Sequence, residues 1–154
     1  MSLAIGDTAP DFTLQDTAGE HKNLRDLTHE RQVVLLFFPL AFSDACTTEL
    51  CTIRDNMKLY NSLKAKVVGI SVDSFYTLRE FKKSHNLNFT LLSDFNKEVS
   101  RRYGVLNENF YGMHGVSKRA SFVVSRDQAI KYIEILDDAR TLPDFNAMHS
   151  ALSK

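Results

Sequence analysis

Residues 33–51 read V-V-L-L-F-F-P-L-A-F-S-D-A-C-T-T-E-L-C, and the fold turns on this stretch. The unbroken apolar, β-rich run from Val33 to Phe38 is the pattern of a strand covered on both faces, and Pro39, which has no backbone N–H, ends the ladder. After a loop, Ser43 or Asp44 suits the N-cap of a helix beginning near Ala45. Cys46, Leu50, Ile53, Met57 and Tyr60 recur at helical spacing, so a single apolar stripe carries that helix to about Leu63. Cys46 heads the stripe, in the first turn. Free N–H groups and aligned peptide dipoles at a helix start favour an anion, which makes Cys46 a candidate thiolate nucleophile. Asp44 and Glu49 oppose a negative charge there, so a cation from elsewhere in the chain has to help.

With 154 residues, 44% of them hydrophobic, residues 1–154 suit one domain with a substantial core. A formal net charge of +0, with no basic cluster longer than Lys82-Lys83 or Arg101-Arg102, argues against a nucleic-acid or membrane-surface partner. No apolar run approaches the length of a bilayer span, and the N-terminus lacks the pattern of a signal peptide, so a cytoplasmic protein is expected. Two cysteines are too few for a disulfide-stapled scaffold. Two Cys five residues apart, with five scattered His, make no recognisable metal-ligand cluster.

Outward from the central stretch, Asp11 to Leu14 reads as a short strand, Asp16 to Glu20 as a turn around Gly19, and Leu24 to Leu27 as a short helical or irregular link. Val67 to Val72 is a second buried strand. Asp73 or Ser74 caps a helix on which Phe75, Leu78, Phe81 and His85 share a face. Phe89 to Leu92 reads as a third strand, Phe95 to Tyr103 as a helix stopped by Gly104, and Arg119 to Val124 with Ala129 to Leu136 as an antiparallel hairpin. Leu142 to Leu152 supplies a last helix with Pro143 in its first turn. This order describes a three-layer α/β/α domain with a mixed central sheet.

Pro39, Ser43 and Cys46 spell P-x-x-x-S-x-x-C, which resembles the active-site motif of the peroxiredoxins, and F-F-P-L-A-F-S is most similar to their AhpE-type bacterial members. The opening I-G-D-T-A-P-D-F-T-L-Q-D, the strand V-V-G-I-S-V-D and the R-A-S-F-V-V at Arg119 resemble that family in the same order. The resemblance implies a thioredoxin-like fold. It implies that Cys46 is the peroxidatic nucleophile, that the Ser43 hydroxyl shares its small pocket, that Pro39 lies over the thiolate and that Arg119 is the missing cation. Glu49, one turn beyond Cys46, is the residue that would orient the arginine.

Cys51 lies near 140° around the helix from Cys46, on its polar face, and is expected to be exposed. The C-x-x-x-x-C spacing resembles the PrxQ, or bacterioferritin-comigratory, members, in which the second cysteine resolves the sulfenic acid into a disulfide. Five helical residues separate the two Cα atoms by about 7.5 Å, beyond the roughly 7 Å of an unstrained bridge, so this role requires local unwinding.

The resemblance therefore implies a thiol-dependent peroxidase acting on hydrogen peroxide and small organic hydroperoxides. No cofactor is implied. The partners implied are the peroxide, a thioredoxin, glutaredoxin or similar thiol reductant, and a second copy in a homodimer. A thioredoxin-like thiol-disulfide oxidoreductase is the competing enzyme, but the cysteines are not C-x-x-C and Arg119 stands where thioredoxins carry a cis-proline. A redox sensor or holdase using the same sulfenic chemistry is the non-enzymatic alternative.

Overall fold

The computed structural model describes residues 2–154. In chain order these form β1 (Thr13–Asp16), β2 (His21–Asn23), α1 (Leu24–Glu30), β3 (Gln32–Phe37), α2 (Asp44–Asp55), α3 (Met57–Ser62), β4 (Ala65–Ser71) and α4 (Phe75–Ser84). There follow β5 (Thr90–Ser93), α5 (Glu98–Arg102), β6 (Leu106–Asn107), β7 (Val116–Ser117), β8 (Arg119–Val124), β9 (Ile130–Leu136) and α6 (Phe145–Leu152). Seven strands make one sheet in the order β2-β1-β5-β4-β3-β8-β9. β3, β4 and β5 run parallel and the flanking pairs antiparallel, so the sheet is mixed, as expected.

β3 is covered on both faces because its side chains alternate between two apolar clusters. Val34 and Leu36, with Phe38 beyond the strand, join residues of α2, α3, α4 and α6 on one side. Val33, Leu35 and Phe37 join Leu24 of α1 and Val99 of α5 on the other. Three layers follow from this alternation. Among the described residues, no helix is long and apolar enough to cross a membrane.

Several boundaries differ from the sequence expectation. The first strand begins at Thr13 rather than Asp11, and the unanticipated β2 pairs with it across the turn at Gly19. The long helix is broken at Asn56, which ends α2 and begins α3 with φ −109° and ψ 18°. The Asn56 amide donates to the carbonyl of Thr52 at 2.9 Å, a side-chain bond that competes with continuation of the helix. α5 starts only at Glu98, because Lys97 takes a left-handed φ of 65° and the buried carboxylate of Asp94 accepts the N–H groups of Val99 and Ser100. α6 starts at Phe145, not Leu142, because Asp144 caps it by accepting from the N–H of Ala147 at 3.0 Å; Pro143 lies before the helix. The β8–β9 hairpin forms as read, with a bulge at Val123 and Val124.

Candidate active site

The central strand and its antiparallel neighbour bring together two parts of the chain that are far apart in sequence. Phe37 stands opposite Ala120, so Arg119, the first residue of β8, arrives beside the end of β3, where Phe38 and Pro39 lead into the loop before α2. That loop is pinned from the next strand, where the carboxylate of Asp73 accepts the N–H of Ala41 at 2.8 Å and the hydroxyl of Ser71 at 2.7 Å. Asp73 is thus a loop brace; the cap of α4 is Ser74, which accepts from the N–H of Thr77. Pro39 is buried, while Phe42 is half-exposed with a left-handed φ of 70° and its ring 5.0 Å from that of Phe81.

Cys46 sits in the first turn of α2 and is fully buried. Arg119, also buried, directs Nη2 at its sulfur, 3.1 Å away. Glu49 follows Cys46 by three residues, a spacing that puts both on one side of the helix. Its Oε1 accepts from Nη1 of Arg119 at 2.5 Å. The backbone takes two more of the guanidinium donors: the carbonyl of Ala139, in the segment between β9 and α6, accepts from Nε at 3.0 Å and from Nη2 at 2.8 Å. The planar fork of arginine permits three such partners at once.

The electrostatics of this group follow from its burial. Loss of solvent pushes the Glu49 carboxyl up to about 7, against the pull of Arg119, and the charge of Glu134 adds to the rise. Glu49 Oε2 is buried and has no hydrogen-bond partner among the described residues. Burial acts against the charge of Arg119, yet the facing Glu49 and Cys46 outweigh it, so the guanidinium is held above its ordinary pKa. A cation fixed in this way is a permanent donor to sulfur. An N–H···S contact suits sulfur best when it carries negative charge.

Cys46, Glu49 and Arg119 are therefore in direct contact, with Pro39 buried at the start of the loop. Ser43 is at the N-cap position, but its side chain makes no capping hydrogen bond. Its exposed hydroxyl instead donates to the carbonyl of Leu40 at 2.9 Å. Cys51 departs from expectation: it is half-buried against the cluster that contains Cys46, not exposed. Arg54, one turn further along α2, donates to the carbonyl of His85 at 2.6 Å, and Asn88 donates back to the carbonyl of Arg54, which ties the helix to the turn after α4. Both cysteines are free thiols. Sequence reasoning missed Ala139, which acts through its carbonyl and so leaves no trace in residue type.

The chain is similar to known proteins over most of its length. A family model described as AhpC/TSA family matches residues 5–133. Peroxiredoxin Bcp of Escherichia coli K12 is 37% identical over 145 residues, 90% of this chain and 88% of the relative. Alkyl hydroperoxide reductase E of Mycobacterium tuberculosis is also 37% identical, over 135 residues and 86% of each chain. The crystal structure of peroxidoxin BcpB from Mycobacterium tuberculosis superposes with a TM-score of 0.88 at 29% identity, covering 97% of this chain and 96% of that one. The expectations of a thioredoxin-like mixed sheet and of likeness to both the AhpE and the Bcp types therefore hold, and the chain belongs to the AhpC/TSA family of peroxiredoxins.

Proposed function

We propose that this protein is a thiol-dependent peroxidase of antioxidant defence that reduces hydrogen peroxide and small organic hydroperoxides at Cys46. The observation that carries the reading is the 3.1 Å contact from Arg119 Nη2 to the sulfur of a buried cysteine at a helix start. The thiolate of Cys46 attacks one peroxide oxygen; the S–O bond forms, the O–O bond breaks, and the second oxygen leaves with its electron pair and takes up a proton as water or alcohol. Cys46 is left as a sulfenic acid. Arg119 is placed to stabilise the thiolate and the polarised oxygens as charge moves from sulfur to the departing group. Glu49 and the carbonyl of Ala139 hold the guanidinium in position. Full burial of Cys46 favours small uncharged hydroperoxides, because a charged one would lose its hydration on entry.

In this reading Ser43 and Pro39 shape the peroxide pocket, and Cys51 resolves the intermediate: its thiol attacks the sulfenic sulfur, a disulfide forms and water leaves. A dithiol reductant of the thioredoxin or glutaredoxin kind then returns both cysteines to thiols. We further propose that the chain works as one domain in the cytoplasm and assembles as a homodimer. The experiment is stopped-flow oxidation of the reduced protein by hydrogen peroxide, with intact-mass analysis of wild type, Cys46→Ser and Cys51→Ser. The expected result is rapid oxidation abolished by Cys46→Ser alone, and a two-proton mass loss that disappears in Cys51→Ser. Oxidation of Cys46 no faster than that of a free thiol would sink the proposal and favour a disulfide-exchange or sensor role.

A further inference from the structure

We propose that a cleft at the edge of the sheet opposite Cys46 binds a compact polyphosphate anion through Arg31, Lys66 and Lys82. Because β3, β4 and β5 run parallel, their N-terminal ends gather at one edge of the sheet, whereas Cys46 follows the C-terminal end of β3. At that N-terminal edge a cleft of about 270 Å³ opens between Arg31, which precedes β3, Lys66 of β4 and Lys82 of α4. Asn61 and Asn88 add amide groups to its wall, Phe89 adds an apolar patch, and no carboxylate lines it. A cleft of this size has room for a pyrophosphate-sized anion.

None of the three cations has an ion-pair partner among the described residues. The ion pairs of the described residues involve Lys22, Arg25, Arg54, Lys118, Arg119 and Arg140, and none of them engages Arg31, Lys66 or Lys82. Arg31 has only a 3.5 Å contact with the amide oxygen of Asn61. Burial holds the Lys82 ammonium below its ordinary pKa; the charge of Asp16 partly offsets this, and repulsion from Lys66 adds to it. A bound anion would supply the missing countercharge to both lysines. The net charge of the whole chain is +0, so this concentration is local and not a general cationic excess. Three cations around one concavity suit an anion with several charged oxygens, which an arginine fork and two ammonium groups can share.

The test is isothermal titration calorimetry of the reduced full-length protein with pyrophosphate at low ionic strength, with orthophosphate as the comparison anion. The expected result is saturable binding of one pyrophosphate per chain, tighter than orthophosphate. Lys66→Gln and Lys82→Gln should each weaken it by about tenfold or more, and Lys82→Arg should retain it. All three variants should oxidise at Cys46 at the wild-type rate, which also reports an intact fold. In the wild type, pyrophosphate should protect Lys66 and Lys82 from acetylation by an amine-reactive ester, mapped by mass spectrometry; this readout stands even if a glutamine variant misfolds. Absence of saturable binding, affinity unmoved by both glutamine variants, or unprotected lysines would overturn the proposal.

Discussion

Arg119 donates to a sulfur, a carboxylate and a carbonyl from one planar group, and this division of labour sets what can replace it. Lysine keeps the charge but presents a single ammonium point that cannot span the three acceptors. Arg119→Lys is therefore expected to slow oxidation of Cys46 by roughly 10- to 100-fold, the worth of one charge-assisted hydrogen bond, measured by stopped flow with hydrogen peroxide. Glu49 gives a pH signature. Its carboxyl is raised from about 4.5 to about 7 by burial, so the folded chain keeps a proton that the unfolded chain releases between those values. Stability falls as pH rises through that window, by up to about 3 kcal/mol, and levels off above it. Urea denaturation from about pH 3.5 to about pH 8, roughly one unit beyond the window on each side, should show this fall in the wild type and not in Glu49→Gln. An equal slope in both would exclude Glu49 as its source. In the sequence, helix position made Cys46 a candidate and the P-x-x-x-S-x-x-C resemblance singled it out, whereas the place of Arg119 beside it was legible only through the R-A-S-F-V-V resemblance, because an arginine at a strand start carries no periodic signal.

The α2 and α4 helices start in similar ways and differ in the chemistry of the cap. Ser74 accepts the N–H of Thr77, while the Ser43 hydroxyl turns away to Leu40. Ser74→Ala should cost about 1 kcal/mol of stability and Ser43→Ala no more than a few tenths, a contrast that thermal denaturation can measure. The free cap also bears on the proposed disulfide. The first turns of α2 must open for Cys51 to reach Cys46, and opening breaks no side-chain cap. One equivalent of peroxide should raise hydrogen exchange across residues 44–51 in the wild type, and Cys51→Ser should remove that rise; protection unchanged on disulfide formation would refute the unwinding. At this scale the sequence was most readable where periodicity was strong, in β3, α2, β4 and the β8–β9 hairpin. It was least readable in short segments and at single side chains: β2, which takes its structure from pairing with β1, the break at Asn56, where the side chain bonds to the carbonyl of Thr52, and the half-burial of Cys51 against the core.

Across the whole molecule the sheet serves as the wall between two cores, and its centre tolerates little added bulk. A Cβ on Gly69, midway along β4, would come within 2.7 Å of Leu91 Cδ2 and 3.3 Å of Phe38 Cε1, both in buried residues. Gly69→Ala is expected to destabilise the fold by about 1–3 kcal/mol in thermal or urea denaturation, and an unchanged midpoint would show that Leu91 and Phe38 move aside freely. The three-layer architecture was legible because β3 reads as apolar on both faces. The assembly of the site was not, since it depends on the antiparallel register that sets Arg119 against the end of β3 and on a carbonyl that no residue type announces. The place of Ala139 also has a consequence in time. Cys46 leaves the ribosome early, but the carbonyl that steadies its arginine belongs to a segment made about ninety residues later at roughly 5–20 residues per second. A nascent chain therefore carries its cysteine for several seconds before the carbonyl that steadies the arginine exists.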